Sequence, residues 1–162
     1  MLFVSFICVL LCLLIMRCYS LVRRAPDFII GGAVNPQLNR WFVVPRNAFG
    51  NIYLHQILRS DDDTALHDHP WFNISIVLQG FYWEYVAGEY RPKLRRAGSI
   101  VFRRATVAHR LELGDTNTPC WTLFITGPRI REWGFHCPKG WRPWQEFVDA
   151  RDIGAVGRGC GE

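Results

Sequence analysis

From Asp27 onward the apolar residues recur at every second position in runs of six or seven, and Gly, Pro, Asn and Asp interrupt them. The runs are "RWFVVP" (40–45), "IYLHQIL" (52–58), "NISIVLQ" (73–79), "FYWEYVA" (81–87), "SIVFRR" (99–104), "AHRLEL" (108–113) and "WTLFITG" (121–127). Side chains alternate across a strand, so each run offers two distinct faces. Many short strands at this spacing predict an all-β domain, an antiparallel sandwich or barrel, over residues 25–148. The closing stretch, 149–162, follows a short helical turn, and its glycines predict a flexible tail.

The N-terminus breaks the pattern. "MLFVSFICVLLCLLIM" carries no charge over sixteen residues and is followed by Arg17, Arg23 and Arg24. It predicts a hydrophobic helix within residues 1–24, which would rise about 30 Å if it continued through "RCYSLV", enough to cross a bilayer core. A membrane anchor through residues 1–22 is therefore expected, and the arginines on its C-terminal side would leave the β domain in the cytoplasm. Two alternatives stay open. Met16 is a second start for the chain, and a cleaved signal peptide fits less well because no basic residue precedes the apolar run.

Composition narrows the classes. A chain of 162 residues holds one domain with a real core, and 49% hydrophobic against 20% charged residues excludes a disordered chain. The net charge of +5, much of it between Arg91 and Arg110, suits a small anionic ligand. No groove-reading motif accompanies it, so nucleic acid is not an expected partner. The six cysteines lack CxxC spacing and indicate neither a disulfide framework nor a zinc ribbon, which fits a reducing compartment.

The candidate chemistry sits in "ALHDHPWFNISIVLQG", residues 65–80. In an extended run His67, His69, Trp71, Asn73, Ser75 and Val77 share one face, and two imidazoles two residues apart on that face can point at one ion. In "TVAHRLEL" a single imidazole, His109, interrupts the apolar face formed by Val107, Leu111 and Leu113. His55 shares a face with Tyr53 and Ile57, which makes both His55 and Tyr53 candidates for proton transfer. Arg129 and Arg131 alternate onto one side of "TGPRIREWGF" and, with Arg110, are candidates for holding an anion through a bidentate fork. Trp133, Phe135, Trp141 and Trp144 predict an aromatic cap over one end of the barrel, and His136 with Cys137 is a weaker second ligand pair.

These residues resemble the two motifs of the cupin superfamily. His67-x-His69, three residues, Asn73, six residues and Gly80 match the spacing of the first motif, and Gly98, five residues, Arg104, Thr106 and His109 match that of the second. The pattern "HDHPW…GPRIREWGF…GW", over roughly residues 40–147, is also similar to small cupin-like proteins of bacteria and their phages. The resemblance implies a double-stranded β-helix, the jelly-roll barrel, with a metal held by His67, His69 and His109. It also implies dimerisation through sheet edges.

Departures shape the expected chemistry. Asn73 stands where the family has a glutamate ligand, as either a weak oxygen ligand or a hydrogen-bonding group behind the ligands. Arg104, Thr106 and Leu113 replace the Pro, Gly and Asn of the second motif. A neutral three-histidine set leaves open positions on a divalent ion, Fe(II) first, with Zn, Mn and Ni as alternatives. The resemblance then implies dioxygenase-type chemistry on a small anionic substrate. A non-catalytic small-molecule-binding protein and a sugar isomerase or epimerase are the alternatives.

Overall fold

The structure, a computed structural model, describes residues 2–151 and 155–161. After helix α1 (Leu2–Leu21) come strands β1 (Phe28–Ile30), β2 (Leu38–Phe42), β3 (Asn51–Ile57), β4 (Leu66–His67), β5 (Asn73–Gln79) and β6 (Phe81–Val86). They are followed by β7 (Lys93–Arg96), β8 (Ile100–Arg103), β9 (His109–Leu113), β10 (Cys120–Thr126), β11 (Gly134–Cys137) and β12 (Gly140–Pro143), and by one helical turn, α2 (Trp144–Phe147). The strands form two antiparallel six-stranded sheets, ordered β1-β2-β3-β10-β5-β8 and β12-β11-β4-β9-β6-β7. This is the expected jelly roll. All seven strands expected from alternation are present, six of them within one residue of their expected ends, while β2 lies two to three residues earlier than its run.

Two core layers position the site. Between the sheets, Ile57, Val77, Tyr82, Leu113 and Cys120 pack together. On the outer side of the first sheet, Trp41, Val43, Leu54 and Leu123 pack around Leu21, with Leu14 and Cys18 of α1 against them. Consecutive residues Tyr53, Leu54 and His55 are therefore all buried, Leu54 toward α1 and its two neighbours toward the barrel interior. Arg17 donates to the carbonyl of Val43 at 3.2 Å, so the C-terminal part of α1 is fastened to the barrel. Among the described residues no helix is long and apolar enough to cross a membrane. The anchor expected through residues 1–22 receives no support.

The five strands that lack a period-two run are short or atypical, beginning with the three-residue β1. β4 has two residues, β7 is "KLRR", and β11 and β12 lie in the Trp- and Pro-rich segment expected to form a cap. Their pairing brings Cys137, the last residue of β11, against the C-terminal segment, where it forms a disulfide with Cys160. That corrects two expectations at once. The cysteine spacing concealed a cross-link, because its partners meet only after β11 forms. The argument for a reducing compartment loses its basis at this pair.

Residues 155–161 are likewise held rather than loose. Val156 bridges Val148, the amides of Gly157 and Gly159 donate to the carbonyl of Phe147 at 3.0 and 3.1 Å, and Arg142 donates to the carbonyl of Gly159 at 2.7 Å. Gly159 and Gly161 have φ of +56° and +62°, so these glycines shape a turn. Residues 152–154 and 162, also part of the expected tail, lie outside the described residues.

The disulfide closes a loop with a sequence separation of 23, which should stabilise the fold by about 3 kcal/mol. Denaturant unfolding with and without dithiothreitol tests this: the midpoint should fall on reduction, and unreduced, denatured protein should titrate only the thiols of Cys8, Cys12, Cys18 and Cys120. An unchanged midpoint together with six titratable thiols would contradict it.

Candidate metal centre

His67 ends β4 and lies directly opposite His109, the first residue of β9. His69 follows where the strand has stopped, with its amide donating to the carbonyl of Ala105 at 3.2 Å. The three rings converge, with centroids 4.9 to 5.2 Å apart, and their ligand atoms all lie within 4.8 Å of one another. Nε2 of His69 is 2.9 Å from Nε2 of His109. Two nitrogens bound at right angles to one ion at about 2.1 Å would stand about 3.0 Å apart, so these donors fit a shared ion.

The surrounding carboxylates favour the same protonation pattern. Oε1 of the buried Glu84 lies 3.1 Å from Nδ1 of His109, a nitrogen that has no well-aligned hydrogen-bond partner. Asp61 lies 3.7 Å from Nδ1 of His67. A carboxylate beside Nδ1 keeps the ring proton there and leaves Nε2 as the lone-pair donor, the arrangement seen behind metal-binding histidines. Burial is the main cause that holds His69 far below the usual histidine range, and the neighbouring His109 and His67 rings add to it. Burial likewise brings His109 down to about 3, against the opposing pull of Glu84. Both rings are neutral at physiological pH, as ligation requires.

Glu84, which lies outside both histidine motifs, backs the site from the neighbouring strand β6. In the fold it is 1% exposed and receives Nε of Arg95 at 2.8 Å and Nε of Arg103, besides facing His109. Burial opposes its ionisation, but the His109 ring N–H and the Arg103 guanidinium outweigh it and hold the carboxyl well below its ordinary range. Arg103 continues the network to Oδ1 of Asn73 at 3.2 Å and to the hydroxyl of Tyr82 at 3.4 Å. The signal in the sequence was a lone carboxylate, Glu84, on the buried face of a strand otherwise rich in aromatics.

Asp68, between the two histidines, faces away from them and is also buried. It accepts from the amide of Gly134 at 2.9 Å and from Nε1 of Trp141 at 3.0 Å, and pairs with Arg131 at 2.7 Å. The His-Asp-His segment is thereby fixed on both sides. His136 lies 3.2 Å from Asp68, and Cys137 is in the disulfide, so the proposed second ligand pair does not exist.

The three histidines open into a cavity of about 500 Å³ between the sheets. Tyr53 and His55 line it, with their rings stacked at 5.9 Å. Asn73 is not among the lining residues, and its oxygen is committed to Arg103. The expected substrate arginines are elsewhere: Arg110 lies over the Tyr85 ring, Arg129 pairs with Glu132 on the surface, and Arg131 is taken by Asp68. In their place Arg40, Arg46 and Arg103 line the cavity. β2, which carries Arg40, begins two residues before its expected start, and its register to β3 sets Arg40 opposite His55. The aromatic cap forms from Trp133 stacked on Trp144 and Phe135 stacked on Phe147, while Trp141 binds Asp68 instead.

By sequence, no protein-family model matches the chain, and no curated protein does. Solved structures match by shape. A putative mannose-6-phosphate isomerase from Ralstonia eutropha JMP134 aligns with a TM-score of 0.53 at 17% identity, over 63% of this chain and 92% of its own. DMSP lyase DddQ from Ruegeria pomeroyi DSS-3 gives 0.52 at 16% identity, over 72% of this chain and 61% of its own. An RmlC-like cupin from Shewanella frigidimarina NCIMB 400 gives 0.45 at 19% identity, over 59% and 79%. At such identities the likeness concerns fold, and chemistry must be argued from the site.

Two predictions follow from these geometries. Burial, the leading cause, depresses His55, His69 and His109 in the folded chain, so below about pH 6.5 the unfolded chain takes up protons that the folded one refuses. Stability of the metal-free protein should then fall with pH, on the order of 1 kcal/mol per histidine per pH unit; equal urea midpoints at about pH 7.5 and 5.5 would contradict this. Replacing Glu84 by Gln strands Arg103 without its counter-charge and should cost about 3 kcal/mol or more. It should also weaken metal binding by about 10- to 100-fold, measured by competition with a chelator.

Proposed function

We propose that this chain, which has the cupin fold, binds one divalent transition-metal ion through His67, His69 and His109 and acts on a small anionic substrate in the adjoining cavity. The favoured reaction class is that of non-haem Fe(II) dioxygenases. The observation that carries this reading is the donor set: three convergent histidines, two of them held neutral by burial, that open directly onto a 500 Å³ cavity. No protein carboxylate stands at the position of Asn73 to offset the charge of an ion, which leaves that role to an anionic substrate. When bound, the metal would supply Lewis acidity and, as Fe(II), the redox chemistry that dioxygen requires.

The chain's own residues do the rest. Glu84 and Asp61 orient the rings of His109 and His67 from behind. Trp133, Phe135, Trp144 and Phe147 close one end of the cavity with apolar surface and keep water from it. Cavity arginines attract the anion, and Tyr53 presents a phenol to it.

A second reading, isomerisation or epimerisation of a sugar-like substrate, is favoured by Tyr53 and His55 on the cavity wall, where either could move a proton. His55 already accepts a hydrogen bond from Arg40 on Nε2, so Tyr53 is the freer of the two. The isomerase named among the similar structures is consistent with this reading and shares only the fold.

Full-length protein produced with iron, manganese, nickel and zinc available should carry about one metal ion per chain by elemental analysis, and His67→Ala and His109→Ala should each lose it. Stoichiometric metal in both variants, or none in the wild type, would sink the proposal. Iron-loaded protein should consume oxygen with a member of a panel of small carboxylates and phosphate esters. Turnover of a sugar-like member under anaerobic conditions would favour the second reading.

A further inference from the structure

Among the described residues the charges that line the cavity are matched, except for the exposed Arg46 and the half-buried Arg40. Arg103 has Glu84. Asp61 receives Nε2 of Gln37 and the amide of Leu111, Asp62 pairs with Arg59, and Asp63 receives the amide of Ala65. Arg40 is different. Among the described residues it meets no carboxylate; its Nε donates to Nε2 of His55 at 2.9 Å, and its guanidinium lies 4.8 Å above the Tyr53 ring. Burial draws its pKa down to about 10, which leaves it protonated at neutral pH.

Placement adds to the argument. Arg40 lies directly opposite His55 in the β2–β3 ladder, so the two side chains are held side by side on the inner face. His55 stacks against Phe124 at 5.0 Å and against Tyr53, which fixes its ring. Accepting from Arg40 on Nε2 assigns the His55 proton to Nδ1 and makes the ring a neutral acceptor. With Nε engaged, the N–H groups of Nη1 and Nη2 remain for a planar or tetrahedral oxyanion. Arg46, on the same cavity wall, raises the positive potential there. A half-buried cation without a counter-ion is partly desolvated at a cost, and an oxyanion beside it offsets that cost.

We propose that Arg40 is the receptor for the carboxylate or phosphate group of the substrate, with His55 as the residue that positions it. The proposal rests on reading the cavity as a substrate site. It assigns a substrate with its oxyanion at Arg40 and its reacting part toward the three histidines, and it replaces Arg110, Arg129 and Arg131 in that role. His55 thereby changes from a candidate base to a positioning residue.

The test is isothermal titration of the full chain at neutral pH with acetate, malonate and inorganic phosphate, in wild type and variants, with metal content measured in the same samples. Wild type should bind at least one of these anions saturably, and the tighter of carboxylate and phosphate identifies the substrate group. Arg40→Gln should weaken binding about tenfold or more while metal content stays unchanged, and Arg129→Gln should bind as wild type. His55→Leu should weaken binding, and His55→Gln, which restores an acceptor, should recover it. Undiminished binding by Arg40→Gln, or no saturable binding of any of the three anions by wild type, would overturn the proposal. Anion binding that persists at Arg40 in a protein without metal would leave it standing while the metal reading fell.

Discussion

The interior is organised around the buried carboxylate of Glu84. Two arginines and one imidazole converge on it, and a carboxylate so deeply buried stays ionised only because they do. From this point the consequences run in two directions. Through His109 it sets which nitrogen faces the other two histidines. Through Arg103 it reaches Asn73 and Tyr82 and ties β5, β6 and β8 together beneath the cavity. An apolar residue of equal volume would fill the same space and leave His109 free to rotate and Arg103 uncompensated.

Asp68 performs the corresponding task on the other side of the metal-binding segment. Because it lies between His67 and His69, it faces the opposite way and grips the segment that carries Arg131, Gly134 and Trp141. The two histidines are thus anchored from behind by a residue that could not itself be a ligand. The aromatic cap depends on that grip, since Gly134 and Trp141 belong to β11 and β12, and the disulfide from Cys137 extends the same support to the C-terminal segment.

Much of the fold was legible because alternation is a local signal: β3, β5, β6, β8, β9 and β10 lie close to where the period-two runs stand. The histidine triad was legible for a related reason, since strand faces and motif spacing together bring His67, His69 and His109 into one place. What stayed hidden depends on partners far apart in sequence. The pairing of Arg40 with His55 requires the β2–β3 register, the roles of Glu84 and Asp68 require knowledge of what faces them, and the Cys137–Cys160 bond requires a strand whose Trp, Gly and Pro content disguises it. Arg110, Arg129 and Arg131, which the sequence pattern favoured, lie over Tyr85 or pair with carboxylates, whereas Arg40, outside any cluster, reaches the cavity with Arg46 and Arg103. The apolar N-terminus formed the expected helix, but part of its surface is taken up by Trp41 and Leu54.

The account turns on whether the three histidines hold one ion together. X-ray absorption spectroscopy of the metal-loaded full chain addresses this directly, because imidazole rings leave a multiple-scattering signature that carboxylates and water do not. The account predicts a first shell of nitrogen and oxygen only, at about 2.0–2.2 Å, with scattering from three imidazoles. A sulfur shell, or scattering from no more than one imidazole, would contradict it.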